Sequence, residues 1–110
     1  IYGDGEQSRD FTFVDNVVQA NILACHAPNA PGEVINVACG KRITVNHLFQ
    51  IIRGILKKDY IESIHEPARP GDIRHSLADI SKAEKILSYK PVVNLEEGIE
   101  RAVEWFKKIL

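Results

Sequence analysis

The sequence has no excess of charge of either sign, with 14 basic and 15 acidic residues and a formal net charge of −1 at pH 7. This balance excludes a basic field that would hold nucleic acid or an anionic membrane non-specifically, so any bound anion must be held by local groups. No apolar run approaches the roughly 18 residues that a membrane-spanning helix needs. The chain also contains no methionine, and it starts at Ile1 with neither a charged nor an apolar leader segment. We therefore expect it to come from the middle of a longer polypeptide.

Cysteine is scarce, since Cys25 and Cys39 are the only two. A zinc site needs about four ligands in close pairs, and neither cysteine has a partner at the required spacing. The four histidines are scattered without a repeated interval, so we assign no metal. Both cysteines lie among small or apolar residues, which favours free core thiols and a reducing, cytoplasmic location.

Recognisable catalytic groupings are missing as well. No glycine-rich loop opens a helix after a strand, because the Gly3–Gly5 turn precedes an extended segment instead. No serine stands in a G-x-S-x-G elbow, and no pair of carboxylates is recognisable as an acid and a base. The 110 residues therefore indicate no reactive centre of their own.

An apolar content of 45% over 110 residues is enough for one globular domain spanning residues 1–110. Alternating or apolar runs predict three short strands, at residues 9–14, 33–38 and 60–66. Helical periodicity and N-cap residues predict four helices at residues 17–25, 45–56, 80–87 and 95–110, capped by Asp15, Thr44, Asp79 and Asn94. This pattern indicates an α/β or α+β arrangement. Asn36, in the second predicted strand, is interpreted as a structural hydrogen-bonding residue.

A proline-rich loop, Pro67–Asp79, contains the most suggestive side chains. Its prolines fix φ and Gly71 permits a tight turn, so Arg69 and Asp72 are expected to lie close together. Arg9 stands at the start of the first predicted strand. Two converging guanidinium groups and a carboxylate suit a nucleoside diphosphate, with phosphates on the arginines and ribose on the aspartate. A surface turn with a weak ion pair is the alternative.

Ordered motifs across the whole chain resemble one enzyme family. The matching runs are Tyr2–Phe11, Val14–Val18, Asn36–Gly40, Arg69–Arg74, Leu77–Ala83 and Leu95–Ile99. Together they resemble the C-terminal part of extended short-chain dehydrogenase/reductase enzymes that act on nucleotide sugars. The chain is most similar to the UDP-hexose 4-epimerases, especially the UDP-N-acetylglucosamine 4-epimerase type.

The resemblance implies an α/β fold of the Rossmann type, of which this chain is the C-terminal, substrate-binding portion. It implies that Arg9 and Arg69 contact the diphosphate of a UDP-sugar and that Asp72 contacts the uridine ribose. It also places Asn36 in a strand near the sugar. The parent enzyme is expected to be a cytoplasmic homodimer that uses NAD to remove hydride from C4 of the sugar and return it to the other face.

The family's glycine-rich NAD loop and its catalytic tyrosine and lysine lie upstream of the region that this chain matches. We therefore expect no catalytic or NAD-binding residue in these 110 residues, and no activity from them alone. Two alternatives stay open at this point. The parent could be a 4,6-dehydratase or a UDP-glucuronate decarboxylase on the same scaffold, or the chain could be a stand-alone nucleotide-binding module.

Overall fold

Four helices and two short strands make up the regular structure of the computed structural model, which describes all residues from Ile1 to Leu110. The elements are β1 (Ser8–Arg9), α1 (Val14–His26), β2 (Ile43–Thr44), α2 (Val45–Ile55), α3 (Ser81–Leu87) and α4 (Leu95–Ile109). Strands β1 and β2 pair antiparallel, with Ser8 opposite Thr44 and Arg9 opposite Ile43. No helix has the length and apolar character needed to cross a membrane.

Local capping bonds fix the starts of α2 and α4. Thr44 Oγ1 accepts a hydrogen bond from the His47 amide (3.1 Å), and Asn94 Oδ1 accepts one from the Glu97 amide (2.9 Å). Asp79 Oδ1 accepts from the Ser81 amide at 2.9 Å. The predicted caps at Thr44 and Asn94 are confirmed, because an N-cap bond depends only on residues two or three positions away. The predicted cap at Asp79 is wrong, because the N-cap residue of α3 is Ile80, which makes no side-chain cap bond, and Asp79 lies one position earlier.

The predicted cap at Asp15 is wrong. Helix α1 begins at Val14, so Asp15 lies inside its first turn, where a carboxylate still faces the positive end of the helix dipole. Its side chain pairs with Arg101 of α4 at 2.9 Å. The helix start is set instead by Phe13, whose ring packs against the bare backbone of Gly98 in α4.

The predicted strands are largely wrong. Residues 33–38 and 60–66 form no strand, apart from a single bridge between Glu66 and Tyr2, and the first strand covers only Ser8–Arg9 rather than residues 9–14. A strand exists only where a neighbouring segment supplies backbone hydrogen bonds, and no other segment of this chain pairs with residues 33–38. Val34, expected to be buried, is 85% exposed.

The core lies where α1 crosses α3. Ala20, Ala83, Leu87 and Tyr89 are buried there, and the small alanine side chains allow the two helices to approach closely. The Tyr89 hydroxyl donates to the Ala38 carbonyl at 3.0 Å, which satisfies the polar end of a fully buried ring. Burial raises the pKa of this hydroxyl, with smaller contributions from Cys39 and Asp10.

Asn16, rather than Asn36, is the amide that ties loops together. It is fully buried on α1, where its Oδ1 accepts from the amides of Val92 (2.9 Å) and Val93 (3.0 Å) and its Nδ2 donates to the Val93 carbonyl (2.8 Å). Asn36 is exposed in the unpaired segment, so both its predicted structural role and its place in a strand are wrong.

One face of α1 is not covered by the rest of the chain. Val14, Val18 and Ile22 are 61%, 49% and 56% exposed, although the opposite face of the same helix is buried against α3. Cys25 is free and exposed on this helix, so the prediction of a core thiol is wrong for it. Cys39 is free and half-buried; its pKa is raised by burial and then by the nearby charge of Asp10.

Candidate nucleotide-binding site

The proline-rich loop is fastened at both ends to the beginning of the chain. At one end the Gly3 amide donates to the Glu66 carbonyl and the Glu66 amide to the Ile1 carbonyl, both at 2.8 Å. At the other end the Ser8 amide donates to the Arg74 carbonyl at 2.9 Å. We call residues 67–75, which follow the first attachment and include the second, the arginine loop.

The arginine loop brings two of the predicted side chains to β1. Its tip is a turn in which the Asp72 amide donates to the Arg69 carbonyl (3.2 Å) and Gly71 has a φ of 77°. Asp72 Oδ1 lies 2.7 Å from Nη2 of Arg9, whose Nη1 donates to the Ser8 carbonyl at 2.8 Å. Arg9 is therefore oriented by its own strand and by the carboxylate across from it.

Arg69 lies on the same side of the loop, where its guanidinium carbon is 3.8 Å from the centre of the Tyr2 ring. This is a close cation–π stack, which fixes the plane of the guanidinium fork. Tyr2 was part of the sequence motif, but no role followed from the pattern. It becomes visible only because the loop returns to the first residues of the chain.

Arg9, Arg69 and Asp72 line one cavity of about 270 Å³, and we call it the arginine pocket. The structure thus brings together all three residues singled out in the sequence. Residues that sequence reasoning did not identify complete the wall: Ile1, Tyr2, Gln7 and Val45. Gln7 is buried and donates from Nε2 to the Tyr2 carbonyl at 2.8 Å, so it supports the segment that carries the stacking ring.

The charges of the pocket favour an anion. Two guanidinium groups face one carboxylate, which leaves one positive charge in excess. Guanidinium groups present donors in a planar fork that matches phosphate oxygens, while an aspartate oxygen accepts from hydroxyl groups. Arg9 and Asp72 remain accessible, with about a third of each side chain exposed (30% and 36%).

A larger cavity of about 700 Å³ lies elsewhere and shares no lining residue with the arginine pocket. Its polar wall consists of Lys41, Lys90, Asn94 and Glu96. This wall contains no arginine, so it lacks the guanidinium groups and the arginine–carboxylate pair of the arginine pocket. No group of three or more His, Cys, Asp or Glu side chains is arranged to hold a metal ion.

Comparison with known proteins places the chain in a family. A model of the GDP-mannose 4,6-dehydratase family matches residues 1–102. The chain belongs to this family. Solved structures similar to this chain include a UDP-glucose 4-epimerase from Thermotoga maritima, determined with UDP-glucose, which is 43% identical with a TM-score of 0.92 over 99% of this chain.

A second similar solved structure is the UDP-N-acetylglucosamine 4-epimerase of Methanobrevibacter ruminantium, determined with UDP-N-acetylmuramic acid. It is 47% identical over all of this chain, with a TM-score of 0.91. A third, a UDP-glucuronic acid 4-epimerase from Bacillus cereus determined with NAD and a fluorinated UDP-glucuronic acid, is 32% identical over the same span, with a TM-score of 0.92.

The resemblance to nucleotide-sugar epimerases of the extended dehydrogenase/reductase type and the α/β fold class are thereby confirmed. The chain spans about a third of the length of these proteins, 34% of the first two and 35% of the third. The same holds for the curated relatives it matches, at 33% of their length. Proteins named as a decarboxylase and as a dehydratase of nucleotide sugars are also among the relatives.

Proposed function

We propose that this chain is the nucleotide-sugar-binding C-terminal portion of a UDP-hexose 4-epimerase. The observation that carries the proposal is the meeting of Arg9, Arg69 and Asp72 around one cavity. Arg9 lies 60 and 63 positions before Arg69 and Asp72 in the sequence, and the latter two occupy an exposed loop. Family membership supports the same assignment, since solved structures similar to this chain are named as UDP-sugar 4-epimerases.

In this proposal the two arginines bind the diphosphate and Asp72 binds the ribose of uridine. Arg9 is held by the Ser8 carbonyl and Asp72, and Arg69 by the Tyr2 ring, so both forks are ordered before the ligand arrives. Ordering in advance lowers the entropy cost of binding. Asp72 uses Oδ1 for Arg9, which leaves Oδ2 as an acceptor for a hydroxyl group.

NAD, the cofactor expected for the parent enzyme, does not fit the residues of this chain. The only glycine-rich turn, Gly3–Gly5, leads into β1 rather than into a helix. The Asn46 side chain already fills the space beside this turn, because a Cβ on Gly5 would lie 1.9 Å from Asn46 Oδ1. We propose that NAD binds to a part of the enzyme outside these residues. The cytoplasmic location and the homodimer remain part of the proposal.

Binding of UDP tests the assignment. The 110-residue chain, labelled with nitrogen-15, is titrated with UDP and followed by two-dimensional amide NMR, with calorimetry for the dissociation constant. Removing one charge-assisted contact to phosphate costs about 1.5–3 kcal/mol, so Arg9→Ala and Arg69→Ala should each weaken binding by roughly 10- to 100-fold.

Arg101→Ala serves as the matched control, because this arginine of α4 pairs with Asp15 of α1 and with Glu97, and does not line the pocket. It should leave the UDP affinity unchanged. Uridine without phosphates should bind equally to the native chain and to both pocket arginine variants. UDP-induced shifts confined to residues outside the pocket, or equal losses in Arg101→Ala, would contradict the assignment.

Activity measurements distinguish the isolated 110 residues from the full-length enzyme. The 110 residues supplied with NAD and UDP-galactose should show no turnover, and measurable epimerisation would refute the proposal that catalytic groups lie elsewhere. A second reaction has support because the matching family model is named for a 4,6-dehydratase. The full-length protein should interconvert C4 epimers, whereas loss of water from the sugar would favour the dehydratase.

A further inference from the structure

The turn at Gly3–Glu6 is built as a rigid platform. Gly3 and Gly5 both adopt positive φ (75° and 77°), and Asp4 Oδ1 accepts from the Glu6 amide at 3.0 Å. Asn46, in the first turn of α2, donates from Nδ2 to the Asp4 carbonyl (2.9 Å) and from its amide to the Gly5 carbonyl (3.0 Å). The Asp4 carboxylate is therefore held by the Glu6 amide of its own turn, and the backbone of that turn is held by α2.

Arg74, at the end of the arginine loop, forms a bidentate ion pair with this carboxylate. Nη1 lies 2.7 Å from Asp4 Oδ1 and Nη2 lies 2.9 Å from Oδ2. A bidentate arginine–carboxylate pair fixes direction as well as distance, which a single contact does not. The Arg74 guanidinium holds the pKa of Asp4 at about 2, so the pair remains ionised at neutral pH.

The position of Arg74 makes this contact relevant to the pocket. It lies two residues after Asp72, and its backbone carbonyl accepts from Ser8, the residue before Arg9. Within the loop the only backbone hydrogen bond is the turn between Arg69 and Asp72. The conformation of the loop therefore depends on its ends and on its side-chain anchors.

One of those anchors, the Arg9–Asp72 pair, is expected to weaken when ligand binds. Phosphate oxygens compete with Asp72 for the guanidinium of Arg9, so the 2.7 Å pair between these residues weakens in the complex. The Asp4–Arg74 pair does not line the cavity and is not subject to this competition. Ser8 Oγ and His75 Nδ1, 2.8 Å apart, add a second contact outside the cavity.

We propose that Asp4 and Arg74 are positioning residues. Their bidentate ion pair, which we call the clamp, keeps Arg69 and Asp72 opposite Arg9 while ligand enters and leaves. The inference rests on the proposed function of the arginine pocket. Neither residue touches the nucleotide. Their effect on affinity arises because the loop spends more time in the binding-competent arrangement, and the apparent dissociation constant scales inversely with that fraction.

The test uses Arg74→Gln, Asp4→Asn and the double variant of the 110-residue chain, with Arg101→Gln as control. Asparagine at position 4 keeps the acceptor for the Glu6 amide, so the turn itself is preserved. Each single variant should weaken UDP binding by roughly fivefold, as expected if the competent loop falls to about a fifth of the population. The double variant should lose no more than either single variant, because both remove the same contact.

Nitrogen-15 relaxation of residues 68–73, measured without ligand, reports the mobility of the loop. This mobility would not change if the ion pair contributed only to overall stability. Loop amides should become more mobile in the Arg74 and Asp4 variants, while the melting temperature should match that of Arg101→Gln. Unchanged loop mobility, or a double variant whose loss is the product of the two single losses, would overturn the clamp.

Arg74→Lys sharpens the test, because lysine keeps the charge without the planar fork. Loop mobility between that of the native chain and that of Arg74→Gln supports a bidentate clamp, whereas native mobility would show that charge alone suffices. If the native chain fails to bind UDP, the proposed function fails, and the relaxation measurement still decides the clamp by itself.

Discussion

The core between α1 and α3 and the arginine pocket are held together in different ways. In the core, Ala20, Ala83 and Leu87 are buried by apolar packing, and both side-chain polar atoms of the buried Asn16 are hydrogen-bonded. In the pocket the ion pair Arg9–Asp72, and beside the pocket the ion pair Arg74–Asp4, are open to solvent. Exposed ion pairs contribute little to stability but fix the direction of side chains. Substitutions in the core should therefore lower stability, and those around the pocket should lower affinity.

Asn16→Ala is the strongest test of the core side of this comparison. The substitution leaves the amides of Val92 and Val93 and one carbonyl without their buried partner. We expect a loss of about 3 kcal/mol in the free energy of unfolding, measured by urea denaturation.

Asn36→Ala is the matched control, because it removes the same side chain from an exposed, unpaired segment. It should change stability by less than about 0.5 kcal/mol. A larger loss at Asn36 than at Asn16 would show that the segment 33–38 is structured in solution and would reverse the comparison.

The two asparagines also show where sequence reasoning ends. Helices α2 and α4 were predictable because their apolar period and their caps are local features, and Thr44 and Asn94 bond to amides three residues away. The role of Asn16 depends on residues 76 and 77 positions away, and no pattern marks such a pair. Strands 33–38 and 60–66 were predicted wrongly for the same reason, since strand formation depends on a partner that composition does not specify.

Gly5→Ala tests the platform that connects the pocket to α2. Gly5 and Gly32 have nearly the same φ, 77° and 79°, so alanine should cost each about 1 kcal/mol in backbone strain. Only at Gly5 would the new Cβ also collide with Asn46, at 1.9 Å, whereas nothing lies within 4 Å at Gly32. Gly5→Ala should therefore destabilise the chain by roughly 1 kcal/mol more than Gly32→Ala in thermal unfolding. Equal losses would mean that Asn46 moves aside freely and that the turn is not rigid.

The pocket was partly predictable, by a different route from the core. Residue types alone left Arg9, Arg69 and Asp72 open between a nucleoside-diphosphate site and a surface turn with a weak ion pair. The ordered motifs then favoured the nucleotide site, and the structure brings all three residues to one cavity. Tyr2 and the Asp4–Arg74 pair were missed, because their contacts join residues 67 and 70 positions apart. Motifs identify groups that resemble known binding residues, but they carry no information about which side chains hold those groups in place.

Titration of Asp4 tests the ion pair beside the pocket, and its effect is the smallest of those predicted. Hydrogen bonds from Arg74 and then from the Glu6 amide lower the pKa of Asp4 from 3.8 to about 2. Because the ionised form is favoured in the folded state, its contribution is complete above about pH 3.8 and is lost as the pH falls through about 2. Carbon-13 NMR of the side-chain carboxyl should show this low midpoint, and Arg74→Gln should move it back towards 3.8.

Asp79, whose pKa is lowered by Ser81 instead, should titrate identically in both proteins. A midpoint for native Asp4 that Arg74→Gln leaves unchanged would show that the two side chains do not pair in solution, and the arginine loop would then be held by its backbone ends and His75 alone.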